Sequence, residues 1–158
     1  MIDSKQVRRL IINPSLTEIG LYSRDFEELA IGIMGHETLG GTYIAQLNDG
    51  PALGVFEMES ATFIDLWNNE ILKKRPELHN KIMKACNFLV APYPKELVNN
   101  LKLAVIMCRV FFLRVEEPIP AHDNIQAIAD YWKKYWNTSL GKGTTEEFIA
   151  HYHKYVNA

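Results

Sequence analysis

The sequence predicts a mainly α protein with one small β-hairpin set among its helices. Three observations carry this. Apolar residues recur at helical spacing along most of the chain. The turn signal Asn48-Asp49-Gly50-Pro51 separates two short apolar runs, Tyr43 to Leu47 and Leu53 to Phe56, which read as paired strands. With 158 residues, 47% of them hydrophobic and 23% charged, the chain suits a single globular domain over residues 1–158 with a real core.

Each element has its own justification. A short helix is expected from about Ser15 to Leu21. Ser23 supplies the N-cap of the next, which ends near Glu37, where Gly40 and Gly41 stop it. After the hairpin, a helix starts at about Ala61, where Thr62 and Asp65 resemble a capping box over the stripe Phe63, Leu66, Trp67 and Ile71. Pro76 opens another helix, to about Asn87, and Ala91-Pro92-Tyr93-Pro94 is a loop. A long apolar helix from about Lys95 to Val115 is expected at the centre of the fold. Pro118 and Pro120 interrupt the chain, and helices over about Asn124 to Trp136 and Thr145 to Val156 complete it.

Composition removes several classes of function. A net charge of −2 offers no basic field for nucleic acid. The N-terminal stretch has no apolar run long enough for a signal peptide. The segment Leu101 to Leu113, which carries Lys102 and Arg109, is too short to span a bilayer. Cys86 and Cys108 make no disulfide framework, and the five histidines show no metal-binding spacing, so neither a metal nor an organic cofactor is expected. Gly141-Lys142-Gly143-Thr144-Thr145 lacks the spacing and the preceding strand of a phosphate loop, and reads as a turn into the last helix, capped by Thr144 or Thr145.

Glu37 stands out. The stripe Phe26, Leu29, Ala30, Ile33 and Met34 continues to Glu37 as its next same-face position. An apolar surround disfavours the ionised form of a carboxyl, and a carboxylic acid still protonated near neutral pH can donate its proton to a leaving group. A glutamate at a helix end also has a plainer reading, bending out to water or accepting backbone hydrogen bonds.

The stretch His36-Glu37-Thr38-Leu39-Gly40-Gly41, followed by Asp49-Gly50-Pro51-Ala52-Leu53-Gly54-Val55-Phe56-Glu57-Met58-Glu59-Ser60-Ala61-Thr62, resembles the lysozyme-like family of soluble lytic transglycosylases and goose-type lysozymes. Glu37-Thr38 stands for that family's Glu-Ser pair, Gly54-Val55-Phe56-Glu57 for its Gly-Leu-Met-Gln strand, and Ser60-Ala61-Thr62 for its Pro-Ala-Thr helix start. Tyr135-Trp136-Asn137-Thr138 is a fainter counterpart of the family's Ala-Tyr-Asn-Ala-Gly segment, without the glycines.

The resemblance implies a lysozyme-like fold and cleavage of the β-1,4 MurNAc–GlcNAc linkages of bacterial peptidoglycan, with Glu37 as general acid. Asp49 and Glu59 occupy the places of the two goose-type aspartates, and either is a candidate for the base that activates water about 6.5–9.5 Å from the acid. Their presence tilts the expectation toward hydrolysis over transglycosylation, although Asp49 also suits a hairpin turn and Glu59 a helix start. Thr38, Tyr43, Gly54, Phe56, Glu57, Tyr135 and Asn137 are the substrate-binding candidates. Tyr43 and Trp136 are the better aromatic groove candidates, whereas Trp132 continues the Ile125, Ile128, Ala129 stripe into the core. Glu57 departs from the family's neutral glutamine. That departure keeps open a lysozyme-fold virion protein that binds glycan or serves structure without turnover. A bacteriophage origin is expected, either in the virion with other virion proteins as partners or in the host cytoplasm before release, with action in the periplasm or cell wall.

Overall fold

The computed structural model describes residues 1–156. The chain is mainly helical with a small two-stranded antiparallel hairpin. It begins with α1 (Ser4–Val7), a π-turn over Arg8–Ile12, and α2 (Asn13–Glu18), which follow one another without a break. The expected start at Ser15 is therefore corrected to Ser4, where Asp3 accepts the Gln6 amide as N-cap at 2.8 Å. Pro14 explains the misreading. It lacks an N–H, and the widened turn just ahead of it absorbs the missing bond without ending the helix.

Helix α3 (Arg24–Glu37) is capped by Ser23, whose hydroxyl accepts the Phe26 amide at 3.1 Å. It is buried from Phe26 through Gly35, including Glu27 and Glu28. Those two carboxylates are held by Arg8, which donates to both oxygens of Glu28 at 2.9 and 2.7 Å and to Glu27 at 3.3 Å. Burial of the carboxylates is thereby matched by a forked cation.

The hairpin differs in detail from the expectation. Asn48 and Asp49 do form the turn, both with positive φ (58° and 55°). The segment before it makes only a bridge, Ala45 to Leu53, flanked by Gln46 N–H to Ala52 O at 2.9 Å and Gly54 N–H to Ile44 O at 2.9 Å. The regular strands are β1 (Ala52–Leu53) and β2 (Met58–Glu59), with Ala52 opposite Glu59 and Leu53 opposite Met58. Phe56 and Glu57, expected in or just beyond the return strand, lie in the turn between β1 and β2. The physical reason is Gly54. Its φ of +76° bends the chain where a strand would continue, and an added Cβ would meet the Leu97 carbonyl oxygen at 2.6 Å.

Helix α4 (Ser60–Asp65) takes Glu59 as its N-cap, without a side-chain cap bond. The expected Thr62–Asp65 capping box does not form, because Asp65 accepts from Asn69 at 2.6 Å and pairs with Arg114 at 2.7 Å. A π-turn follows over Leu66–Lys73, then α5 (Pro76–Ala85). The long helix expected from Lys95 is a 3-10 turn over Pro94–Val98 and a separate α6 (Leu101–Leu113), split by Asn100, which caps the Leu103 amide at 2.9 Å. Helix α7 (Ile125–Trp132) runs into a π-turn over Lys133–Asn137, and α8 (Thr145–Tyr155) starts from a capping box between Thr144 and Glu147.

The core is one contiguous cluster centred on α3 and α6, which are buried nearly all round, with α7 and α8 packed against α3. Among the described residues no helix is long and apolar enough to cross a membrane.

Candidate active site around Glu37

Three elements converge on the end of α3. Thr38, fully buried, locks the helix end to the hairpin. Its hydroxyl lies 3.2 Å from the Met34 carbonyl and 2.9 Å from that of Val55, and accepts the Gly41 amide at 3.1 Å. The Thr38 side chain is thus spent on backbone, as a serine hydroxyl in the same place would be, and its contribution is to hold Glu37 against the turn that follows β1.

Glu37 itself, the last residue of α3, is half-buried. Trp132 of α7, fully buried, donates its indole N–H to Glu37 Oε1 at 3.2 Å. The Glu37 carboxyl is pushed up to about 7. Burial is the main cause, the Trp132 hydrogen bond works against it, and the charge of Glu57 adds to it. Around half of such carboxyls still carry their proton at neutral pH.

Trp132 is fixed from behind. Its ring lies 4.5 Å from that of His36 and 4.8 Å from that of Phe148, and Gly143 passes so close that a Cβ there would stand 2.8 Å from the indole. His36 meets His151 with their Nδ1 atoms 3.2 Å apart, so one nitrogen donates and the other accepts. Burial, then the neighbouring His151, drives the His36 imidazole down to about 4; Lys133 adds to this and Glu147 opposes it. His36 is therefore neutral at physiological pH and contributes no cation beside Glu37. The thiol of Cys108, on α6, is wholly buried and held up in its neutral form by that burial.

Beside this constellation lies a cleft of about 90 Å³ lined by Glu57, Met58, Glu59, Thr62, Phe111 and Trp136. Trp136 forms an aromatic wall with Phe111, their rings 4.8 Å apart. Of the two candidate bases, Glu59 lines this cleft and is exposed, whereas Asp49 sits exposed at the hairpin tip and does not. Glu57 is half-buried and its carboxyl is raised above the ordinary range by that burial.

The remaining candidates disperse. Phe56 is 2% exposed and belongs to the core, and Gly54 faces the 3-10 turn through Leu97. Tyr43 is half-buried on the segment before the bridge and is not part of the cleft lining. The Tyr135 hydroxyl donates to Glu117, and its ring packs 4.8 Å from Tyr131. Asn137 accepts the Lys133 ammonium at 2.6 Å, and Thr138 follows it with a positive φ of 64°. A larger cavity of about 490 Å³, between the end of α2 and the start of α5, contains no residue of the Glu37 constellation.

Sequence reasoning missed Trp132 as the partner of Glu37. The two are 95 positions apart, and the helical stripe that put Trp132 in the core says nothing of where its N–H points. Among the described residues no group of three or more His, Cys, Asp and Glu side chains gathers where a metal ion would bind. Compared with protein-family models, with curated proteins and with solved structures, the chain finds no match in any of the three.

Proposed function

We propose that this protein is a lysozyme-like glycosidase that cleaves the β-1,4 MurNAc–GlcNAc linkages of peptidoglycan, with Glu37 as general acid. The observation that carries the reading is the Glu37 carboxyl, half-buried, hydrogen-bonded by Trp132 and titrating at about 7. A group with that value is protonated often enough to donate and acidic enough to release its proton to the leaving glycosidic oxygen. The aromatic wall of Trp136 and Phe111 suits the apolar face of a pyranose ring. Glu59, exposed on the same cleft, is the candidate base that draws a proton from water as the water adds to the anomeric carbon and the leaving oxygen takes the proton of Glu37. Hydrolysis is thus favoured over closure by the sugar's own hydroxyl.

The test is mass spectrometry of soluble fragments released from purified peptidoglycan by the wild type and by Glu37→Gln. Reducing-end muropeptides from the wild type alone support hydrolysis. Anhydro ends make the protein a transglycosylase and remove Glu59 from the chemistry. No fragments from folded protein overturn the reading.

A second reading is a virion protein of this fold that binds glycan or serves structure without turnover. It is favoured by the side chains of Tyr135 and Asn137, both engaged elsewhere, and by a second carboxylate, Glu57, in the cleft. Saccharide binding without product release is its expected result.

A further inference from the structure

Between Glu77 and Glu96 the chain carries three lysines, Lys81, Lys84 and Lys95, and no carboxylate, in a protein whose net charge is −2. Within that stretch lies the apolar run Phe88-Leu89-Val90-Ala91-Pro92-Tyr93. It forms the loop from the end of α5 to the 3-10 turn over Pro94–Val98. Asn87, with φ +54°, turns the chain off the helix end, and the Phe88 amide ties back to the Met83 carbonyl at 2.9 Å. Beyond that tie Leu89 is 98% exposed, and Val90 and Tyr93 are each 71% exposed. A leucine at that exposure has no neighbour covering it, so the loop is a projection and not the wall of a groove. Single apolar residues scattered on a surface need no explanation, but three within five positions make a patch.

The charge left free around the patch is positive. Lys84, in the last turn of α5, and Lys95, next after Pro94, are exposed on its two flanks. Among the described residues neither has an ion-pair partner. The carboxylates that reach this region are engaged. Glu96 accepts the Tyr93 amide at 2.6 Å, and Glu18 pairs at 2.6 Å with Lys102, which also donates to the Ala85 carbonyl at the end of α5.

We propose that this loop is a membrane-docking tip, which sets Leu89, Val90 and Tyr93 into the headgroup boundary of an anionic bilayer with Lys84 and Lys95 against the lipid phosphates. The aliphatic pair supplies burial and the lysines supply attraction. A tyrosine suits the boundary because its ring is apolar and its hydroxyl stays wet. A hollow of about 520 Å³ beside the tip, lined by Tyr93, Lys95, Glu96, Val98 and Asn99, offers room for a headgroup. A protein partner fits less well. The convex tip cannot receive a helix, and Pro92 and Pro94 lack the N–H groups that strand addition uses. Two copies meeting tip to tip would oppose their own lysines. Nothing in this contact uses Glu37, so it stands or falls apart from the glycosidase reading.

Flotation with vesicles tests the proposal, using phosphatidylcholine alone and phosphatidylcholine with about a third phosphatidylglycerol. The wild type is expected to float with the anionic vesicles at low salt and to be released as salt rises. The double substitution Leu89→Ser with Val90→Ser should weaken partitioning at least about tenfold. Lys84→Gln with Lys95→Gln should weaken it by about tenfold or more. Leu140→Ser, at a leucine 95% exposed on another loop, should bind as the wild type does. Leu89→Trp should show quenching by acyl-brominated lipid beyond that of the wild type, which reports insertion of the tip itself. All these side chains are exposed, and unchanged thermal melts check the fold of each variant.

A wild type that stays off anionic vesicles at low salt, or a serine pair that binds them equally well, overturns the proposal. Sedimentation velocity covers the other occupant. A wild-type oligomer that the serine pair dissolves would make the loop a contact between copies of this chain, and would likewise overturn it.

Discussion

The indole N–H of Trp132 meets a carboxylate oxygen of Glu37 at 3.2 Å, joining the end of α3 to the end of α7. This one bond lowers the pKa that burial raises, so the Glu37 proton is set by two opposed effects of the same environment. Trp132→Phe keeps a ring beside His36 and Phe148 and removes the donor. The Glu37 midpoint should then rise above about 7, as read by carboxyl NMR. The lost atoms should cost about 1–2 kcal/mol of stability.

Glu37→Gln separates stability from activity. A carboxyl whose folded pKa is raised contributes stability that is full below its unfolded value, ordinarily 4.5, and lost as pH rises through about 7. The wild type should therefore weaken between pH 5 and pH 9 by on the order of 2 kcal/mol relative to the glutamine variant. Denaturant titration at both pH values measures this. Fragment release from peptidoglycan should disappear in the same variant.

His36 predicts a loss on the acid side. Its folded pKa of about 4 lies below the ordinary 6.5, so the unfolded chain binds the extra proton first. Stability supplied by the neutral imidazole is present above pH 6.5 and lost as pH falls toward 4. In thermal melts across that window, His36→Asn should show a shallower decline than the wild type.

Thr38→Val keeps the shape of the side chain and strands the groups that its hydroxyl serves. It should cost about 2–3 kcal/mol, and Thr38→Ser should restore most of that. Equilibrium unfolding distinguishes the two. Rescue by serine is the expected mark of a hydroxyl that holds the helix end to the hairpin.

Gly54→Ala places a Cβ against the Leu97 carbonyl oxygen at 2.6 Å, at a φ of +76°. A loss of at least about 2 kcal/mol is expected by denaturant titration.

Local chemistry made much of this fold legible in the sequence. Ser23, Pro76 and Thr144 mark helix starts because capping is settled within three or four residues, and Asn48-Asp49 marks the turn for the same reason. Helical spacing likewise carried the apolar surround of Glu37. What failed was local pattern overruled by distant contact. Asp65 left its expected capping box for Asn69 and Arg114, and the long helix broke where Asn100 offered a better cap than continued winding. The left-handed turn at Glu57 had no signal, since glutamate is not a residue that announces positive φ. The site suffered most, because the direction of the Trp132 indole and the departure of Tyr135 toward Glu117 depend on how α7 lies across the molecule.

The contact between Trp132 and Glu37 also gives the protein an internal optical reporter. Indole emission responds to a charge appearing beside the ring, and here that charge appears when Glu37 loses its proton at about 7. The difference in fluorescence between the wild type and Trp132→Phe, followed against pH, isolates this indole from Trp67 and Trp136. A ligand entering the cleft and changing the proton affinity of Glu37 would then announce itself as a change in light, whether or not any bond is cut.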